Sequence, residues 1–148
     1  DHLMDVVRSM MQQLHPLVLT ELGLKAALED LIAHWQKRHD LHILFSCHDD
    51  IAQLPETMCI HIFRMVQEGL TNVVRHANAS SVTIDLSIDE NQQVRLVMSD
   101  NGQGCDVEHV QKGFGLLSMR ERVRSLQGDF HIQTQPQQGM TININITL

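Results

Sequence analysis

The sequence predicts a two-layer α/β sandwich (α+β), with helices on one face of a mixed, mostly antiparallel sheet. Three patterns predict it. Val82, Ile84, Leu86 and Ile88 alternate strictly with Thr83, Asp85 and Ser87, and Ile142, Ile144, Ile146 and Leu148 alternate with polar residues at the end of the chain. Period two is the mark of a strand with one buried face. Between Pro55 and Ala77 the apolar residues Ile62, Val66, Leu70 and Val73 recur instead at helical spacing. The order of elements is helices, strand, helix, two strands, helix, two strands, which lets every helix cover the same side of one sheet.

The elements follow in order. Leu3, Val7, Met10 and Leu14 lie four, three and four residues apart, the 3.5-residue seam of a helix against partner helices; an amphipathic helix lying on its own domain fits as well. Pro16 ends or kinks it near His15. Residues 20–39 read as a second helix, capped by Thr20, with Leu24, Leu28, Leu31, Ile32 and Trp35 on one face. Leu41 to Cys47, with Ile43 and Phe45, reads as a strand. Pro55 stands where a first helical turn tolerates it, ahead of the long helix to Ala77. A turn at residues 78–81 leads into the strand of Val82, and Asn91-Gln92 joins it to its hairpin partner of Val94, Leu96 and Met98. A glycine-bearing loop from Asp100 to Gly115 precedes a helix with Leu116, Met119, Val123 and Leu126, stopped by Gly128. Phe130 and Ile132 begin a strand, and a turn around Gly139 leads into the last one.

Composition sets bounds on function. The 148 residues suit one domain with a real core, and 43% apolar against 20% charged residues is a globular rather than a disordered balance. Eleven Lys and Arg against 18 Asp and Glu leave a net charge of -7, no electrostatic footprint for nucleic acid and one that anionic lipid would repel. No apolar run is long enough to span a membrane. Three widely spaced cysteines, Cys47, Cys59 and Cys105, form neither a disulfide framework nor a CxxC pair, which points to a reducing compartment. His34, His39 and His42 lack metal-ligand spacing and read as surface histidines.

Four clusters could carry chemistry. On the long helix, Glu68 and Asn72 lie roughly 40° apart and Arg75 returns to within about 20° of Glu68, so one face presents a carboxylate, an amide and a cation beside His76. An ordinary solvated face would look the same. Asp100-Asn101-Gly102-Gln103-Gly104 follows a strand directly, and its glycines permit tight turns or close approach to a ligand. Gly113-Phe114-Gly115-Leu116 opens a helix, where free N–H groups and the helix dipole favour an anion. It is not a P-loop, since no Gly-Lys-Ser/Thr follows. In Gly139-Met140-Thr141 a hydroxyl begins the last strand.

Singly these are weak; in order they are specific. Glu68-x3-Asn72, then DNGQG, then GFGL, then Gly-x-Thr resembles the asparagine box, the two glycine boxes and the terminal Gly-Thr box of the GHKL ATPase superfamily, whose members bind ATP in the Bergerat fold. The stretches LHPLVLTELGLKAAL (14–28), VQEGLTNVVRHANAS (66–80) and GFGLLSMRERVRSLQG (113–128) resemble the NarL-type sensor histidine kinases, whose partners are LuxR-type response regulators.

The resemblance implies roles. Asp100 would take the adenine amino group, supported by Thr141 directly or through water, and Gly102 and Gly104 would shape the adenine side of the pocket. Asn72 would hold the Mg²⁺ that bridges the phosphates, and Arg75 and His76 would lie beside them. Gly113, Phe114, Gly115 and the N–H of Leu116 would accommodate the phosphate chain. Glu68 stands at the general-base position of the hydrolytic members; in a kinase it would polarise the nucleophile or order a water. Residues 1–15 would be the C-terminal part of a dimerisation and phosphotransfer helix, and residues 16–148 the catalytic and ATP-binding domain. The parent would be a homodimer, with this domain cytoplasmic and any membrane anchoring supplied by absent parts of an inner-membrane sensor.

The departures from the family pattern are His15 where an Arg usually precedes the Pro, Cys105 where a bulky apolar residue is usual, and the lack of a His-Asp pair in a basic helix. Without that phosphoacceptor signature the chain is expected to bind ATP but not to phosphorylate itself. The alternative reading is another GHKL ATPase module, of the chaperone, topoisomerase or mismatch-repair kind, or an anti-sigma-factor serine kinase.

Overall fold

A computed structural model describes residues 21–104 and 116–148, with Leu3 and Leu19. The remainder of the Leu3–Leu14 seam, His15, Pro16, Thr20 and Cys105 lie outside the described residues.

Helix α1 runs from Leu24 to Arg38. Leu24, Ala27, Leu28, Leu31 and Ile32 are buried, the i, i+3, i+4, i+7, i+8 stripe of a helix on a core. The expected helix over 20–39 is interrupted at its start. Glu21 and Leu22 are helical, but Gly23 turns to φ 92 and ψ 169 and becomes the N-cap of α1. Its N–H donates to the Leu19 carbonyl (3.1 Å) and its carbonyl accepts from Ala27 N–H (3.1 Å), so one helical segment ends and another begins on this residue. Only glycine enters that backbone region without strain.

Strand β1 (His42–Cys47) leads through a 3-10 turn (Asp49–Gln53) to helix α2 (Glu56–Asn72), with Pro55 at its N-cap. The helix widens to a π turn over Val73–Ala77 and stops at Asn78, which adopts φ 50. A left-handed residue there is a common way to leave a helix. Strands β2 (Ser81–Ile88) and β3 (Gln93–Asp100) form the expected hairpin. Asp89 Oδ1 closes its turn by accepting from the N–H groups of Asn91 (2.9 Å) and Gln93 (3.0 Å).

Helix α3 (Leu116–Ser125), β4 (Asp129–Thr134) and β5 (Met140–Thr147) complete the chain. The left-handed residue that ends α3 is Gln127 (φ 59), one before the expected stop. Gly128 N–H reaches back to the Val123 carbonyl at 2.9 Å. Gly128 itself is needed for closeness, because a Cβ there would lie 2.6 Å from the Asn145 carbonyl oxygen of β5.

The five strands lie in the order β1-β2-β3-β5-β4. β1 pairs with β2 in parallel and the other three pairs are antiparallel, so the sheet is mixed. Parallel pairing needs a crossover, which α2 supplies. Ile43, Val82, Ile84, Leu86, Val94, Leu96, Met98, Ile142, Ile144 and Ile146 are buried on one face, in one cluster with Phe63, Val66 and Leu70 of α2, Leu28 and Leu31 of α1, and Met119 and Val123 of α3. Thr83, Asp85 and Arg95, at the alternate positions, are exposed. This is the predicted two-layer sandwich. No helix among the described residues is long and apolar enough to cross a membrane.

Candidate functional site

The helix-covered face of the sheet is not filled to its end. Asp100, the last residue of β3, continues the line of Val94, Leu96 and Met98, and lies opposite Met140, the first residue of β5. Above it α2 carries Gly69, which lets Met98 lie against the helix; a Cβ there would overlap Met98 Cε and lie 2.7 Å from its Sδ. Between helix and sheet opens a cleft of about 460 Å³. Gly69, Asn72 and Val73 line it from α2; Val82, Met98, Met140 and Ile142 form its apolar walls from the sheet; Ser99, Asp100 and Gly104 complete it.

Asp100 supplies the carboxylate. Its Oδ1 accepts the Gly102 N–H at 2.8 Å. Burial pushes the carboxyl above the usual carboxylate range, and hydrogen bonds from the N–H groups of Gly102 and Met140 partly pull it back. A half-buried acceptor at the end of an apolar slot suits a flat aromatic ring bearing an amino group.

The loop after Asp100 is tied down on both sides. Asn101 Oδ1 accepts from Ser80 N–H and Ser81 N–H, both at 3.0 Å, and its Nδ2 donates to Ser80 Oγ at 2.9 Å. Gly102 is buried. Gly104 adopts φ +58 with the Gln135 and Gly139 carbonyl oxygens packed against its Cα, and Gln103 accepts from Gln137 N–H at 2.5 Å. Gly139, at φ +73, packs in turn on the Asp100 carbonyl. The DNGQG glycines therefore hold the loop against the β4–β5 turn, and with it the carboxylate.

Thr141 faces elsewhere. Its Oγ1 lies 2.8 Å from Ser99 Oγ, across the β3–β5 pair. Along β5 the cleft is lined by Met140 and Ile142, so the alternation of the strand turns residue 141 to the opposite face. Met140 holds the position beside Asp100 that the motif reading gave to Thr141.

The long-helix residues separate. Asn72 lines the cleft, and its Nδ2 is buried with no hydrogen-bond partner among the described residues. Glu68 does not line the cleft but turns to α3, where its Oε1 accepts from Ser118 Oγ (3.2 Å) and lies 3.7 Å from Arg122 Nε. Arg75 is exposed on the π turn, outside the cleft lining. The His76 side chain and Gly113, Phe114 and Gly115 lie outside the described residues. Leu116, the first residue of α3, is buried in the core cluster.

Gly69, Met98, Met140, Ser118 and Arg122 were not singled out from the sequence. Met140 was accessible in principle: counting back in twos from the buried Ile146, Ile144 and Ile142 reaches residue 140.

Residues 58–148 match the family described as histidine kinase-, DNA gyrase B-, and HSP90-like ATPase. The sensor protein VraS of Staphylococcus haemolyticus is 31% identical over 143 residues, 96% of this chain and 40% of that protein. The chain thus spans about 40% of the length of the curated relatives it matches. The blue-light activated histidine kinase of Erythrobacter litoralis EL346 superposes with a TM-score of 0.77 at 22% identity, covering 97% of this chain and 50% of that one. Full-length ShkA in complex with AMPPNP superposes with a TM-score of 0.66 at 17% identity, over 84% of this chain and 29% of that one. These structures share the fold, and the family match takes in α2, the Asp100 loop, α3 and the C-terminal strands: the chain belongs to the histidine kinase-, DNA gyrase B-, and HSP90-like ATPase family.

Proposed function

We propose that this chain is the ATP-binding catalytic domain of a two-component sensor histidine kinase of the NarL type. It delivers the γ-phosphoryl group of ATP to a histidine on a dimerisation helix, from which the group passes to an aspartate of a LuxR-type response regulator. The observation that carries this reading is the Asp100 carboxylate at the end of an apolar cleft that Asn72 also lines. Asp100 accepts from the adenine amino group, Val73, Val82, Met98, Met140 and Ile142 exclude water from the ring faces, and the tied-down loop fixes the acceptor in advance. ShkA, of the same fold, was solved with AMPPNP.

The Asn72 side-chain amide lines the cleft, and its oxygen suits Mg²⁺, which takes few protein oxygens beside phosphate and water. Asn72 is the residue that would hold the ion, and when bound the ion would neutralise charge on the β- and γ-phosphates. The chain's own contribution is positioning: phosphoryl transfer asks for little covalent help. Arg75, exposed beside Asn72, is free to meet phosphate from solvent. Homodimerisation and membrane attachment belong to the parent protein under this reading.

Calorimetry with Mg-ATP tests it. The expected result is micromolar-to-millimolar binding, abolished in Asp100→Ala and made insensitive to Mg²⁺ in Asn72→Ala. A folded wild-type chain that binds no ATP overturns the reading.

A further inference from the structure

We propose that Gly69 and Met98 together set the room for a base in the Asp100 cleft: the missing side chain at 69 seats the Met98 thioether against α2, and a side chain there would push it into the space the base takes. This deepens the nucleotide-binding reading of the cleft and rests on it.

Three observations converge on the pair. Gly69 stands inside α2 and is buried with Ile62, Val66 and Leu70 of the same helix. A glycine in a helix interior weakens the helix relative to alanine, and Gly69 has no left-handed φ that would call for one. The reason for it is steric. A Cβ at 69 would overlap Met98 Cε, lie 2.7 Å from Met98 Sδ and stand 4.0 Å from Met119 Cε of α3. Thirdly, Gly69 and Met98 line the same cleft, although Met98 is only 4% exposed.

Methionine is unbranched and turns about its side-chain bonds to fill irregular space, so its end yields where a backbone atom would not. Its surroundings decide the direction. Met98 belongs to a core cluster filled by fully buried side chains, Val66, Leu70, Leu96, Met119 and Ile144 among them, and a close-packed interior resists an extra methyl group. The cleft, about 460 Å³, is the open volume that both residues border. A side chain at 69 therefore sends the thioether into the cleft, toward Asp100, which lies two residues further along β3 on the same face. The chain accepts a weaker helix at 69 and keeps the cleft clear.

The test uses the whole chain, with Mg-ATP affinity from calorimetry, stability from thermal melts, and NMR of the methionine ε-methyl groups. Gly69→Ala is expected to weaken ATP binding about 10- to 100-fold, the range by which a methylene-sized change alters fit in an apolar pocket. Its Tm stays within about 4 °C of wild type, because the gain in helix propensity offsets the displaced side chain. Without nucleotide, a soluble paramagnetic agent leaves the Met98 ε-methyl signal sharp in the wild type, where Met98 is buried, and broadens it in Gly69→Ala. The double variant Gly69→Ala/Met98→Val lacks the Sδ and Cε atoms that a Cβ at 69 meets, and it recovers ATP affinity to within about threefold of wild type, the non-additivity expected of residues in contact. Full ATP affinity in Gly69→Ala, loss of its fold, a Met98 signal that stays sharp in it, or a double variant that binds no better overturns the inference. A wild type that binds no ATP overturns the kinase reading, and the methyl signal then still decides whether the thioether enters the cleft.

Discussion

In Gly104→Ala a methyl group would enter the seam between the Asp100 loop and the β4–β5 turn. Two terms add there. Gly104 sits at φ +58, where an L side chain costs about 1–2 kcal/mol. The new Cβ would overlap the Gln135 carbonyl oxygen and come 2.7 Å from that of Gly139. Neither oxygen can yield alone: Gln135 accepts from Gln138 N–H (3.0 Å) and Gly139 from Thr134 Oγ1 (2.8 Å). The loop must therefore lift, at an overpacking cost of about 1–3 kcal/mol, giving a total near 2–5 kcal/mol. At roughly 3 °C per kcal/mol for a domain of this size, Tm falls by about 6–15 °C.

Gly23→Ala is the control, because Gly23 has φ +92 but nothing within 4 Å of a built Cβ. It isolates the backbone term, about 1–3 kcal/mol. Calorimetry and thermal melts on the two variants separate the effects. Gly104→Ala loses more stability and, because the loop carries Asp100, binds ATP about tenfold or more weakly, the loss of one well-placed hydrogen bond to a charged group. Gly23→Ala keeps the wild-type affinity. Equal destabilisation of the two, or full ATP affinity in Gly104→Ala, refutes the argument.

Three further outcomes are expected. Burial raises the Asp100 carboxyl above the ordinary carboxylate range, so the folded state binds its proton more readily than the unfolded chain does. The ionised carboxylate therefore destabilises the fold above that window, and the penalty disappears as pH falls through it. Asp100→Asn is accordingly more stable than wild type in urea unfolding at pH 7, with a gain that shrinks as pH falls through the raised carboxyl pKa and is gone by about pH 4, while it loses ATP binding. Thr141→Val removes the Ser99 partner at 2.8 Å and lowers unfolding free energy by about 0.5–1.5 kcal/mol, with ATP affinity within about threefold; a loss above tenfold would mean that the hydroxyl serves the nucleotide. Asn101→Ala frees the N–H groups of Ser80 and Ser81 and lowers Tm by about 3–6 °C, roughly 1–2 kcal/mol for an exposed pair of bonds.

The sheet was legible wherever one face is buried and the other polar. Residues 82–88 and 142–148 alternate without a fault, and the structure pairs both with β3. β1 carried less information: parallel pairing shows in topology, and it follows from α2 lying between β1 and β2. Backbone exceptions were less visible. Gly23 interrupts a pattern whose apolar spacing continues across it, and Gln127 rather than a glycine takes the left-handed position after α3. The π turn at Val73–Ala77 is silent in sequence as well. Helical-wheel arithmetic assumes about 100° per residue, so it placed Arg75 beside Glu68, whereas Arg75 is exposed on the widened turn and Glu68 faces α3.

The site divides along the same line. The DNGQG loop was legible because its function is local: Asp100, Asn101, Gly102 and Gly104 act through backbone turns and hydrogen bonds close to the loop itself. Glu68 was legible as a residue but not as a geometry, since Ser118 lies 50 residues away in sequence and nothing local announces the contact. Gly139-Met140-Thr141 lies between these cases. A motif reports which residue types are present, whereas a strand fixes where each points. The hydroxyl of Thr141 is spent on Ser99, and the period of β5 delivers the thioether of Met140 to Asp100. A thioether has a polarisable surface and no strong donor, so the polar groups in this part of the cleft are those of Asp100 and the backbone around Gly102 and Gly104.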